Sequence, residues 1–194
     1  IELGTATSLD LSNLVVNSAN LTTADSFVVA GSSNTSSLTL TGADGMEAAF
    51  TTGSGADTLT GGTGNDTLSA GAGADTISGE NGDDTIVGAA GNDTINGGAG
   101  DDNITGGTGV DTMTGGAGND TYDFDAAGEV GVGESIVEAA SGGTDVINVD
   151  ATVDFTNMAA SSFDEIEQID IANSITATYT GAQLTGETIE LETA

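Results

Sequence analysis

An aspartate returns every nine residues through the middle of this chain, at Asp57, Asp66, Asp75, Asp84, Asp93, Asp102, Asp111 and Asp120. Two places before each stands a glycine: Gly55, Gly64, Gly73, Gly82, Gly91, Gly100, Gly109 and Gly118. Two places after each stands an apolar side chain: Leu59, Leu68, Ile77, Ile86, Ile95, Ile104, Met113 and Tyr122. Eight such units tile residues 52 to 123 without an insertion. A unit with one apolar residue buries it only by stacking on its neighbours, so the period demands a solenoid. A flexible glycine-rich linker has no reason to hold an acid and an apolar residue in a fixed phase.

Each unit divides into a six-residue turn and a three-residue strand. Side chains alternate faces along a strand, so the apolar residue points inward and its neighbours point out. Two units complete a coil of 18 residues, and the tract therefore makes four coils. At the spacing of stacked strands that is a roll roughly 19 Å tall. Leu59, Ile77, Ile95 and Met113 are expected to line one inner wall, and Leu68, Ile86, Ile104 and Tyr122 the other. So thin a core cannot by itself offset the entropy of ordering the chain.

The unit reads G-G-x-G-x-D-x-U-x, seen most clearly in "GGTGNDTLS", "GGAGDDNIT" and "GGAGNDTYDF". It resembles the calcium-binding nonapeptide of the RTX (repeats-in-toxin) family, and the resemblance implies an all-β, parallel β-roll that folds around calcium. Thr52, Ala70, Glu80 and Ala89 depart from it in the leading glycine positions, where a different turn geometry could follow. The residue types agree with the resemblance. Glycine allows backbone that aims carbonyl oxygens into the gap between coils, the aspartate adds a carboxylate, and an all-oxygen set in a flexible loop suits calcium. The metal ligands expected are the eight aspartates and the eight glycines two places before them. The carboxylate pairs expected are Asp57 with Asp75, Asp75 with Asp93 and Asp93 with Asp111 on one edge, and Asp66 with Asp84, Asp84 with Asp102 and Asp102 with Asp120 on the other. Each pair encloses one ion, about six in all, with half-sites at the ends. Asp83 and Asp101 are expected to face solvent and enrich local calcium.

Charge points the same way. The chain has 31 acidic residues and no Lys, Arg or His, a net charge of −31. Self-repulsion of that size opposes compaction unless external cations intervene. Nucleic acid is excluded as a partner, because binding it requires Lys and Arg to neutralise phosphates, and anionic membrane surfaces are excluded likewise. There is no Cys, hence no disulfide or thiolate metal site. No apolar run reaches the roughly 20 residues of a membrane span. A start at Ile1 without Met reads as a processed product or an excerpt.

Three segments are expected. Residues 1–51 contain the strand-like runs "SLDLSNLVV", "SFVVAG" and "SLTLTG". They also contain "ADGMEAAFT", which keeps the phase with Phe50 in the inward slot but lacks the ligands. This segment continues the coil without calcium and caps it. Residues 52–123 form the roll. Residues 124–194 form a β-rich cap and assembly segment, in which a strand, a G-T-D turn and another strand close the roll and Ile166, Ile169, Ile171, Ile175 and Ile189 supply apolar contacts. The stretch 157–169 has room for one helical turn, although β-branched residues favour strands there. The acidic and apolar C-terminus resembles a type I secretion signal. The chain opens "IELGTA" and ends "IELETA". If both ends hold equivalent strand positions, one subunit stacks head-to-tail on the next, a contact that makes fibres or sheets.

Catalysis has little to work with. Without His, Cys, Lys or Arg there is no triad, phosphoryl clamp or Schiff base. Only a glycosidase-type carboxylate pair is open, with Glu165 and Glu167 or Glu134 and Glu138 as candidates, and a chain without Trp and with two Tyr offers no aromatic platform for a sugar. These acids read as solvated surface, and the chain as no enzyme. Ice binding would need an unbroken outward rank of Thr and Asn, which pairs such as Ala72/Ala74 and Thr108/Val110 interrupt. The favoured reading is a secreted calcium-binding structural protein, extracellular or on a bacterial cell surface, that assembles with its own copies into a fibre, surface layer or biofilm matrix. The alternative is the calcium-dependent C-terminal folding and secretion module of a larger RTX toxin, protease or lipase.

Overall fold

The computed structural model describes residues 26–30, 35–42, 45–138, 143–159, 162–163, 165–172, 175–180, 183 and 188–191. "SLDLSNLVV" and "IELGTA" lie outside them. The first strands are β1 (Ser26–Ala30), β2 (Thr39–Thr41) and β3 (Glu47–Thr51). The repeats supply β4 (Thr58–Thr63), β5 (Thr67–Ala72), β6 (Thr76–Asn81), β7 (Thr85–Gly91), β8 (Thr94–Ala99), β9 (Asn103–Gly109), β10 (Thr112–Ala117) and β11 (Thr121–Phe124). Beyond them come β12 (Ser135–Ile136), β13 (Val146–Val149), β14 (Val153–Asp154), β15 (Gln168–Ile171), β16 (Ala177–Thr178) and β17 (Thr188–Leu191).

The strands sort by parity into a parallel β-roll. One sheet runs β1-β3-β5-β7-β9-β11-β13-β15-β17, a second runs β12-β10-β8-β6-β4-β2, and β14 pairs with β16 separately. Within the repeats every parallel pair matches residues 18 apart, so Leu59 lies beside Ile77, Ile77 beside Ile95 and Ile95 beside Met113. On the facing wall Leu68, Ile86, Ile104 and Tyr122 form the corresponding row. All eight are 0% or 1% exposed, so both inner walls are as the period dictates. Phe50 extends the second row by pairing with Leu68, and Ile147 and Ile169 continue it beyond Tyr122.

The strands of β4 to β10 are longer than three residues. They run six or seven residues, through the inward side chain and on into the corner. Identical corners stack residue on residue, so inter-coil pairing resumes after one skipped position, as in Thr60↔Ser78 followed by Gly62↔Glu80. A turn read from one unit alone gives no sign of partners that come from the coil above.

The departures from the leading glycines leave the corners intact. Ala70 is fully buried, and the Thr52 hydroxyl donates to the Ala70 carbonyl at 2.6 Å. Glu80 and Ala89 take the left-handed backbone of their glycine counterparts, with φ of 83° and 81° against 117° at Gly62 and 95° at Gly107. Side chains there crowd the backbone.

Above the repeats the coil continues rather than merely closing. The Gly143–Asp145 turn feeds β13, which pairs along β11, and β15 and β17 follow in the same sheet. A 3-10 turn at Phe155–Asn157 overlaps the stretch 157–169, where one helical turn had room to form, at Asn157. It carries Phe155 into a cluster in which that ring meets Phe124 edge-on at 4.9 Å and stacks on Tyr179 at 4.8 Å. Ile166 and Ile169 are buried, Ile171 and Ile175 pack against the core in part, and Ile189 pairs with Ile169 through the backbone of β17.

The backbone at Glu80 and Ala89 leads to a prediction. Glu80→Gly and Ala89→Gly should each stabilise the folded roll by about 1 kcal/mol, read from calcium-loaded thermal or denaturant unfolding, because each removes a left-handed non-glycine residue. Gly107→Ala, at a matching corner, should destabilise it. Equal losses from all three would contradict the geometry.

Candidate functional site

Each repeat aspartate sits where the corner ends and the strand begins. From there its side chain turns between coils, and all eight are 2% exposed or less. One oxygen is accounted for. The Asp57 N–H donates to Oδ1 of Asp75 at 2.7 Å, Asp75 to Asp93 at 2.9 Å and Asp93 to Asp111 at 2.8 Å. On the other edge Asp66 donates to Asp84 at 2.7 Å, and Asp84 to Asp102 and Asp102 to Asp120 each at 2.8 Å. The six expected pairs are thus six adjacent rungs of two ladders.

The second oxygen is not accounted for. Oδ2 of all eight aspartates is buried and has no hydrogen-bond partner. Burying an ionised oxygen without a partner is costly, so a cation or a proton must meet it. In six of the eight units the space beside it belongs to the leading glycine, while Thr52 and Ala70 hold that position before Asp57 and Asp75. A Cβ on Gly61, Gly79 or Gly97 would fall on Oδ2 of Asp66, Asp84 or Asp102 respectively. The same point lies 2.6–2.8 Å from the carbonyl oxygen of the glycine one coil on, Gly79, Gly97 or Gly115. Carboxylate and carbonyl oxygen therefore converge on a cradle that only glycine leaves open. Hard oxygen donors of this kind fit calcium.

These leading glycines, Gly61, Gly79, Gly88, Gly97, Gly106 and Gly115, were not among the ligand positions read from the sequence, though the motif's first letter marks them. The glycines two places before each aspartate make a different approach. A Cβ on Gly73, Gly82, Gly91, Gly100, Gly109 or Gly118 would collide with the carbonyl of the matching glycine one coil earlier, and their φ values are 123–152°. They let the coils close up on one another.

Burial pushes the carboxyls up. Asp84, Asp93 and Asp120 rise to about 6 and Asp102 to about 7, desolvation being partly offset by the backbone N–H and reinforced by acids on neighbouring rungs. Asp66, Asp75 and Asp111 rise for the same first reason. No three acidic side chains converge on one point among the described residues.

Asp83 and Asp101 face solvent as expected, and they also do local work. Asp83 Oδ1 accepts from the Asp101 N–H at 3.0 Å, and Asp101 Oδ1 from the Asn119 N–H at 2.8 Å, an outer ladder parallel to the buried one. Of the acids considered for catalysis and expected at the solvated surface, Glu165 and Glu167 are exposed, but Glu134 is buried and Glu138 half-buried. Glu134 Oε2 accepts from Asp111 N–H at 3.1 Å, Glu138 from Gly115 N–H at 2.7 Å and Glu167 from Asp145 N–H at 2.7 Å, while Glu165 is exposed with a left-handed backbone. Burial raises Glu134 to about 8 and Glu138 to about 7. Asp145, read from the sequence only as the end of the G-T-D turn, accepts from Asp120 N–H at 2.9 Å. Its signal was present as Gly143-x-Asp145-x-Ile147, the repeat's own spacing out of phase with the rest.

Among the described residues no helix is long and apolar enough to cross a membrane. Comparisons with curated proteins and with solved structures give no match. A family model does match. Residues 51–86 and 87–122 each fit the RTX calcium-binding nonapeptide repeat (4 copies), a frame that coincides with the aspartate ladders to within one residue. Such repeats bind calcium and are typical of extracellular proteins, and residues 51–122 carry eight of them, stacked as a parallel β-roll.

Proposed function

We propose that this is a secreted structural protein that folds on meeting calcium outside the cell and then assembles with its own copies into a fibre, surface layer or biofilm matrix. The observation that carries the reading is the row of eight buried, unpartnered Oδ2 atoms in a chain with no basic residue. The ligands are the repeat aspartates, in the six pairs named above, with carbonyl oxygens of the corner glycines. Bound there, calcium supplies the positive charge that the chain lacks. The chain's own part is to hold one oxygen of each carboxylate on a backbone N–H and to leave the other buried between coils, in six units beside a leading glycine. In the low-calcium cytosol the acids repel one another and keep the chain extended, which suits export through a type I secretion route. At millimolar calcium outside, extracellular-type sites of about 10⁻⁴ to 10⁻³ M fill together.

Assembly is supported by the end of the larger sheet. Among the described residues β17 pairs with β15 only, and its residues Ile189–Leu191 belong to the "IELETA" repeat of the opening hexapeptide. A strand with a free edge is a template for another chain. No catalytic role is proposed.

Three measurements test this. Circular dichroism in chelator at about pH 7.5 should show coil that turns to β-sheet on calcium addition, and a β-rich spectrum in chelator at that pH would sink the calcium-gated fold. Electron microscopy with calcium should show ordered fibres or lattices. Monodisperse monomers would remove the assembly role and favour a folding module of a larger protein. The third concerns pH. The folded carboxyls titrate above the roughly 4 of an unfolded aspartate, so calcium-free folding takes up protons. Stability of the calcium-free roll is therefore present below the unfolded value and lost as pH rises through about 6 to 7. Calcium-stripped protein should gain β signal on acidification from about pH 7.5 to about pH 4.5, while the stabilisation added by calcium shrinks as protons compete for the same oxygens. No pH response without calcium would contradict the buried geometry.

A further inference from the structure

The two ends of the acid ladders differ. Below the repeats the aspartate slot is apolar. The N–H of Leu38 donates to Asp57 Oδ1 at 2.7 Å and that of Ala48 to Asp66 Oδ1 at 2.6 Å, so these two residues stand where an acid would be, and both are buried. Above the repeats the slot stays acidic. Ile136 pairs with Met113, which places Glu134 in the slot two residues earlier, 23 residues from Asp111 rather than 18. Ile147 pairs with Tyr122, which places Asp145 there, 25 residues from Asp120.

Glu134 reproduces the repeat's buried, unpartnered oxygen, and Asp145 its burial, its backbone link and its close-approach glycine. Glu134 is 2% exposed, holds the Asp111 N–H through Oε2, and leaves Oε1 buried and unpartnered, as the repeat aspartates leave Oδ2. Here the close-approach glycine is Gly131, whose Cβ would fall on the Gly109 carbonyl, three places before the acid instead of two. The extra methylene of glutamate spans that added residue. Asp145 is 1% exposed, and Gly143 has φ of +154° with its Cβ position on the Gly118 carbonyl, as Gly118 stands against Gly100. Thr144 N–H donates to Asn119 Oδ1 at 2.9 Å, continuing the outer ladder. The facing oxygens, Oδ2 of Asp111 and of Asp120, are both buried without a partner. Glu138 does not join the second position as a ligand; it accepts from Gly115 and Gly116 N–H at 2.7 and 3.4 Å. The last rung, Glu167, is exposed, and the built sites end before it.

We propose that the coil following the last nonapeptide is itself a calcium coil, with Glu134 facing Asp111 on one edge and Asp145 facing Asp120 on the other. The chain then encloses eight ions rather than six, one for each backbone link between two acidic slots that ends on a buried acid. The additional pair fastens residues 129–138 and 143–149, which no nonapeptide covers, to the top of the roll. This rests on the reading that the repeat aspartates hold calcium.

Ions bound per full chain, counted by native mass spectrometry and by isothermal titration with calcium, test it. Glu134→Gln and Asp145→Asn keep an oxygen for the backbone N–H and remove the charge. Each should lower the count by one and the double variant by two, and amide-exchange protection by calcium should fall tenfold or more in residues 129–138 and 143–149 while persisting at β5 to β9. A double variant that binds as many ions as the parent, with unchanged protection, overturns the proposal and leaves the two acids as caps. Should the double variant not fold, the single variants decide by the same count. Asp75→Asn separates this from the underlying reading. If it loses an ion while the double variant loses none, only the extra coil fails; if the parent takes up no calcium, both fail.

Discussion

A carboxylate with one oxygen on a neighbouring backbone N–H and the other in a dry cradle is the contact on which this roll rests. It recurs at each repeat aspartate, always spanning two coils, so every rung ties strands far apart in sequence but adjacent in space. Its two halves have opposite needs. The hydrogen bond fixes the carboxylate's position at no cost in burial, whereas the second oxygen raises the free energy of the ionised form until something positive arrives. A basic side chain could have met that need permanently. The chain contains none, so solution conditions decide whether the coils hold together.

The apolar rows inside and the acid ladders at the corners share one geometric cause. Residues 18 apart lie side by side, so like meets like on every face: isoleucine on isoleucine within, aspartate on aspartate between corners, Asn and Asp on the outer edge. For apolar side chains this self-stacking is favourable packing. For acids it concentrates charge, which is why burial and neighbouring rungs together lift Asp102 to about 7. The same stacking that builds the core thus builds the demand for cations.

How much of this could be read from residue order depended on phase. The inner walls and the six acid pairs follow from spacing alone, because an unbroken period leaves a single way to stack. Strand length did not follow, since corner residues such as Gly62 pair only with a second coil, Glu80 above them. The acids of the closing coil were hidden by loops of 23 and 25 residues where the repeats have 18, which shifted Glu134 and Asp145 out of the count although Ile136 and Ile147 keep the right distance from them. Glu80 and Ala89 looked like faults in the motif and proved to be side chains forced onto a glycine backbone. The leading glycines were visible as letters, but that they face the free oxygens depends on which way each corner folds.

The assignment of odd and even units to opposite sheets has an evolutionary consequence. Deleting or duplicating one unit would send every later strand to the other side of the roll and misplace the Phe124–Phe155 cap, which is built to sit over the odd-numbered sheet. Adding or removing two units moves the cap by one storey without turning it. Lineages of such chains can therefore lengthen or shorten only in paired steps, and an even tally of nonapeptides is the mark that inheritance should leave.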